Sequence, residues 1–126
     1  MNIPDNLLYS SDHEWVRIDT GKAVIGITDY AQDALGDVVF VELPILGGVV
    51  NSGESITEVE STKSVSDIYA PITGTIIEVN HDLADSPELL NEDPYGDGWI
   101  CAIELDEGSK LPDLLTPEQY GELIAS

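Results

Sequence analysis

A chain of 126 residues has the length of one domain, taken here as residues 1–126, and with 42% apolar residues it can bury a single modest core. Its 25 acidic side chains face only four Lys and Arg, giving a formal net charge of −21. That charge argues against nucleic acid or an anionic membrane as partner, because phosphate contacts need clustered cations, and leaves basic proteins or plain solubility, including in salty surroundings, as its meaning.

The lone Cys101 excludes an intramolecular disulfide and, inside the apolar run 98–103, reads as a small core hydrophobe in a reducing compartment. No apolar stretch approaches the ~18 residues of a membrane span. The start, Met1 to Asp5, has neither a basic flank nor a hydrophobic signal core. A cytoplasmic protein is expected, or one of an organelle matrix if a targeting segment has been removed.

In chain order, residues 7–11 lead into a strand in which Trp15 and Arg17 alternate with Val16 and Ile18, a half-buried pattern. A turn at Asp19-Thr20-Gly21-Lys22 returns the chain, so the first hairpin is predicted over 14–27. Thr28 supplies an N-cap oxygen, Asp29 a first-turn negative charge and Gly36 a left-handed stop, which predicts a helix of about two turns with a stripe of Tyr30, Ala31, Ala34 and Leu35. Residues 37–43 read as a largely buried strand stopped by Pro44.

After the glycines at 47, 48 and 53, two segments rich in β-branched residues, 56–59 and 65–69, flank a short polar link, predicting a hairpin with Lys63 at its tip. Another strand follows over 75–79. Residues 81–98 form an acidic stretch in which Ser86-Pro87-Glu88-Leu89-Leu90 resembles a capped turn with proline at the first helical position. Residues 99–105 supply the last apolar strand. Thr116-Pro117-Glu118-Gln119 carries a capping box with Leu115 and Tyr120 as a hydrophobic staple, so a C-terminal helix is predicted, packing through Tyr120, Leu123 and Ile124. Six or seven short strands, two or three short helices and no βαβ alternation make a mostly β, antiparallel domain.

Candidate catalytic and metal groups are few. Neighbouring strand residues point to opposite faces, so His13 and Glu14 do not share one substrate as an acid–base pair. Cys101 has no local activator, and the acidic stretch lacks the fixed ligand spacing and glycine turn of a calcium loop. Two histidines and one cysteine do not make a structural zinc site without carboxylates, and neither glycine-rich phosphate motif occurs. What stands out is Lys63, one of three lysines in so acidic a chain and placed at a hairpin tip.

The segment Glu60-Ser61-Thr62-Lys63-Ser64-Val65-Ser66-Asp67, followed by Ala70-Pro71-Ile72-Thr73-Gly74, resembles the lipoyl-attachment motif of the glycine cleavage system H proteins. Further blocks in order are similar to that family: His13-Glu14-Trp15-Val16; Gly26 to Gln32; Leu35 to Pro44; Gly53-Glu54; and Asn91, Asp93-Pro94-Tyr95 and Gly98-Trp99. The resemblance implies a barrel-sandwich hybrid fold, a carrier with no catalysis of its own, and lipoic acid in amide linkage to Lys63. It implies as partners a glycine decarboxylase (P protein), an aminomethyltransferase to tetrahydrofolate (T protein), a dihydrolipoamide dehydrogenase (L protein) and a lipoate-attaching enzyme, with the carrier itself a monomer. The lysine stem plus lipoyl chain would reach roughly 10–15 Å.

The resemblance also implies a resting cleft for the loaded arm, with Glu14 and Asp67 as its carboxylate contacts. Ala34 and Asp12 stand where some relatives carry histidine and serine. Thr62 and Ser64 replace the methionines that flank the lysine of biotin carriers, and the C-terminal helix is absent from the lipoyl domains of oxoacid dehydrogenases. An H-like protein that relays lipoate to other enzymes, and an acidic β domain that is no carrier but binds a basic partner, are the alternatives.

Overall fold

The computed structural model describes residues 2–105 and 114–125. Its strands are β1 (Leu8–Tyr9), β2 (Glu14–Asp19), β3 (Lys22–Ile27), β4 (Val38–Val41), β5 (Val49–Val50), β6 (Ser55–Ser61), β7 (Val65–Tyr69), β8 (Gly74–Val79) and β9 (Cys101–Glu104). Helices α1 (Asp29–Leu35), α2 (Asp82–Asp85), α3 (Leu89–Glu92) and α4 (Pro117–Ala125) complete the described residues. The strands form a six-stranded sheet in the order β1-β2-β3-β9-β8-β5 and a three-stranded sheet β4-β6-β7, with every pairing antiparallel.

The first hairpin falls where the turn residues predict it, with Glu14 opposite Ile27 and Asp19 opposite Lys22. Its first strand is more buried than simple alternation suggests: Glu14, Trp15 and Val16 are all buried, while Ile18 is 45% exposed. The reason is that both faces of the sheet are covered there. Val16 packs in the main core with Ile25, Ile27, Val59 and Ile103, and Trp15 packs in a second cluster with Leu7, Tyr9, Val24, Ala102 and Tyr120. The indole also donates Nε1–H to the Pro94 carbonyl at 2.8 Å, so it is buried without an unmet donor. Burying a ring of this size removes roughly 200 Å² from water, a gross stabilisation of about 5 kcal/mol.

Thr28 caps α1 as its side chain predicts, its Oγ1 accepting from Ala31 N–H at 3.2 Å, and Gly36 ends the helix at φ 79°. The segment 37–43, read from sequence as a largely buried strand, is corrected by the structure. Only Val38 and Val41 of β4 are buried, whereas Val39 and Phe40 are 54% and 51% exposed. A register shift between Val38 and Phe40 breaks the alternation and turns two consecutive apolar residues outward.

The acidic stretch 81–98 folds into two single-turn helices that bury Leu83 and Leu90 and keep the carboxylates on the surface. Ser86 does not cap a helix N-terminus: it ends α2, donating its N–H to the Asp82 carbonyl at 2.8 Å, and α3 begins at Leu89 without a side-chain cap. The capping box of α4 is formed in both directions. Gln119 N–H donates to Thr116 Oγ1 at 3.2 Å, and Thr116 N–H to Gln119 Oε1 at 3.0 Å. Tyr120 is fully buried and stacks on Tyr9 at 4.7 Å, whereas Leu123, expected in the same stripe, is 41% exposed. Cys101 is buried and burial pushes its thiol up to about 12, the state of a core residue rather than a nucleophile.

Candidate functional site

Lys63 is the middle residue of the three-residue link, 62–64, between β6 and β7. Ser61 holds this turn from its first position. Its N–H donates to the Ser64 carbonyl at 2.8 Å, and its Oγ accepts from the N–H groups of Lys63 and Ser64 at 3.2 Å each. Serine at the first place of a turn favours this local bonding. Thr62 N–H reaches across to the Asp37 carbonyl at 3.0 Å, tying the tip to the loop that follows α1. The backbone under Lys63 is therefore fixed, while its side chain stays exposed.

Gly36 carries a second role beyond ending α1. A Cβ at this position would lie 3.1 Å from Lys63 Cε and 3.3 Å from Cδ, so the lysine stem lies across bare glycine backbone. Asn91 steadies that backbone from α3. Its Nδ2 donates to the Gly36 carbonyl at 2.8 Å and to Gln32 Oε1 at 3.0 Å, and its Oδ1 accepts from Val38 N–H at 2.8 Å.

Beside the hairpin tip, reached through Ser64, lies a cleft of about 260 Å³ between α1 and β7. Tyr30, Ala31, Ala34 and Leu35 form one wall; Ser64, Ser66, Asp67 and Ile68 form the other; Asp12 and His13 close an end. Pockets for drug-sized ligands run from ~300 to 1,000 Å³, so this one suits a slim chain. The α1 wall is mainly apolar and the β7 wall mainly polar, with Ser64, the neighbour of Lys63, on its rim.

Of the sequence-predicted contacts, Asp67 lines this cleft. Glu14 does not. It is 2% exposed, and its Oε1 accepts from Ser10 Oγ–H at 2.7 Å while its N–H donates to the same Ser10 Oγ at 3.1 Å. Burial pushes its carboxyl up to about 7, against the lowering effect of the Ser10 bond.

The residue that does reach the cleft from this segment is His13, which sequence reasoning set aside. Among the described residues it is the sole non-glycine with positive φ, at 70°. Its ring lies 4.7 Å from Tyr30 and 5.7 Å from Tyr120, and its Nδ1 is 2.9 Å from Tyr120 Oη. The same Oη is 2.7 Å from Thr28 Oγ1. One buried hydroxyl thus joins α4, the α1 cap and the end wall of the cleft. Burial holds the His13 imidazole below its ordinary range, so it is neutral at neutral pH. Among the described residues no group of three or more His, Cys, Asp or Glu is arranged to hold a metal ion.

The structure thus sets one exposed lysine on a braced hairpin tip, beside a slim cleft of a small, mostly β domain of two antiparallel sheets. A family profile described as "Glycine cleavage H-protein" matches residues 7–126. The chain is 54% identical over 123 residues to the probable glycine cleavage system H protein of Haloarcula marismortui, covering 98% of this chain and 97% of that protein. It is 48% identical over 122 residues to the glycine cleavage system H protein of Carboxydothermus hydrogenoformans, covering 97% and 94%. The crystal structure of a glycine cleavage system H protein from Mycobacterium marinum superposes with a TM-score of 0.91 at 42% identity, covering 98% of this chain and 100% of that one. The chain belongs to the glycine cleavage H-protein family.

Proposed function

We propose that this chain is the lipoylated carrier of a glycine cleavage system, with lipoic acid in amide linkage to Lys63 Nζ. The observation that carries the reading is the seat of Lys63: a turn fixed by Ser61, a stem laid over Gly36 and a cleft alongside. When bound, the lipoyl group supplies a disulfide that is opened and reclosed and a sulfur that takes up the aminomethyl unit released from glycine. The chain's own residues bind and orient. Amide formation removes the Lys63 ammonium, taking the formal net charge from −21 to −22, and leaves a flexible arm on an unmoving root. Tethering turns three separate encounters, with the P, T and L proteins, into delivery at high effective concentration.

In this reading the cleft is where the loaded arm rests out of water. Asp67 offers an accessible carboxylate to the arm's terminal amine, a charge-assisted contact. Glu14, buried and bonded to Ser10 Oγ, has no part in contacting the arm in this reading.

Glycine–bicarbonate exchange with purified P protein tests the proposal. Lipoylated wild type is expected to support exchange and a Lys63→Arg variant to support none. Exchange that is equally fast with the variant contradicts the proposal. A lipoylated wild type that is inert in exchange but passes its lipoyl group to other acceptor domains points to the relay role instead.

A further inference from the structure

The outward face of the β4-β6-β7 sheet has a composition unusual for so acidic a chain. Phe40 stands opposite Glu60, and Glu60 opposite Val65, in the strand register. Residues so paired share a face, and Phe40 and Val65 are 51% and 54% exposed. One residue along, Val41 and Val59 turn inward and are buried, and the next outward pair, Glu42 and Glu58, is exposed again. Strands lie ~4.8 Å apart, so Phe40 and Val65 stand roughly 10 Å apart with Glu60 between them. Val65 is two residues from Lys63, hence within ~7 Å of it. The described cations other than Lys63, namely Arg17 and Lys22, lie on the six-stranded sheet beside Asp19 and Glu78.

Reach decides which partner needs this face. An extended lysine side chain projects ~6 Å from its Cα, whereas the finished arm reaches roughly 10–15 Å. An enzyme served by the finished arm can stand off from the sheet. The enzyme that builds the arm cannot, because it must bring an acyl carbonyl to Lys63 Nζ itself.

We propose that the outer face of the β4-β6-β7 sheet, anchored on Phe40 and Val65, is the docking surface for the enzyme that acylates Lys63. That enzyme presents an apolar patch rimmed by Lys and Arg, complementary to Glu42, Glu58 and Glu60. The proposal rests on the carrier reading. In the step it serves, Lys63 Nζ sheds one proton and attacks the carbonyl of an activated acyl donor such as an acyl adenylate. A C–N amide bond forms, the acyl–phosphate bond breaks, AMP leaves with the electron pair, and the second nitrogen proton passes to a base on the enzyme or to water. No electrons are gained or lost overall.

The test compares kcat/KM for lipoylation of the full chain by a purified lipoate ligase with lipoate and ATP, followed by intact mass. Phe40→Ser and Val65→Ser together are expected to lower it about tenfold or more, as loss of a central apolar anchor does. Glu58→Lys is expected to lower it several-fold and to flatten its salt dependence. Ile18→Ser, which removes an equally exposed apolar side chain from the other sheet, is expected to leave it unchanged. Variants driven to full lipoylation with excess ligase should then support glycine exchange within about twofold of wild type, since the arm is intact. Equal lipoylation of wild type and the double variant overturns the proposal, as does a fall in glycine exchange as large as the fall in lipoylation, which would give the face to the P protein. A wild type that takes no lipoyl group overturns the carrier reading first and this proposal with it.

Discussion

Replacing Glu14 by Gln tests whether the carboxyl beside His13 is truly desolvated. The folded protein holds the Glu14 proton up to about pH 7, whereas the ordinary value is 4.5. Between those limits folding takes up a proton, so this group's contribution to stability falls as pH rises through the window and is constant above it. At about 1.36 kcal/mol per pH unit, the span comes to about 3 kcal/mol as an upper figure. Glutamine stays neutral, and its carbonyl can still accept from Ser10 Oγ–H, so the variant lacks this slope. Urea unfolding of wild type and Glu14→Gln at pH 5 and pH 8, at one ionic strength, isolates the effect from the other acidic groups. The variant should gain about 2–3 kcal/mol relative to wild type on going from pH 5 to pH 8. Stability curves that stay parallel to within ~0.5 kcal/mol would refute the reasoning.

Tyr120→Phe removes the hydroxyl shared by His13 and Thr28; it should cost about 1–3 kcal/mol and lower Tm by several degrees, measured by thermal unfolding. It should also broaden or shift the His13 ring resonances in NMR, which an unrelated loss of stability would not do. Gly26→Ala places a Cβ 2.6 Å from Trp15 Cε2 and Nε1; overpacking against a buried indole should cost at least about 1–3 kcal/mol, visible as a lower urea midpoint and altered tryptophan fluorescence. With a net charge of −21, self-repulsion should ease as the screening length drops from ~10 Å at 0.1 M salt to ~3 Å at 1 M. Tm should therefore rise with NaCl, and a flat or falling Tm in scanning calorimetry would contradict that.

Local chemistry made several elements legible in the sequence. Thr28 and Gly36 bounded α1, the capping box at Thr116 and Gln119 marked α4, and the turn at Asp19 to Lys22 placed the first hairpin, because each signal acts within a few residues. Errors arose where long-range packing decided the outcome. Alternation in β2 was overridden because both faces of its start are covered, and no local pattern announced the register shift that turns Val39 and Phe40 outward. Lys63 stood out by rarity and position, and Ser61 could have been read as the turn's brace from its place two residues before it. His13, Gly36 and Asn91 were harder. Their roles depend on Tyr120, on the lysine stem and on Gly36 respectively, partners brought near only by the fold.

The account turns on Lys63 being the root of a covalent arm. Intact-mass measurement, with peptide mapping, of the protein produced in cells supplied with lipoate tests it most directly. A lipoyl increment located on Lys63 and absent from Lys63→Arg is the predicted result; a wild type that remains unmodified under conditions where a control carrier is fully lipoylated would contradict it.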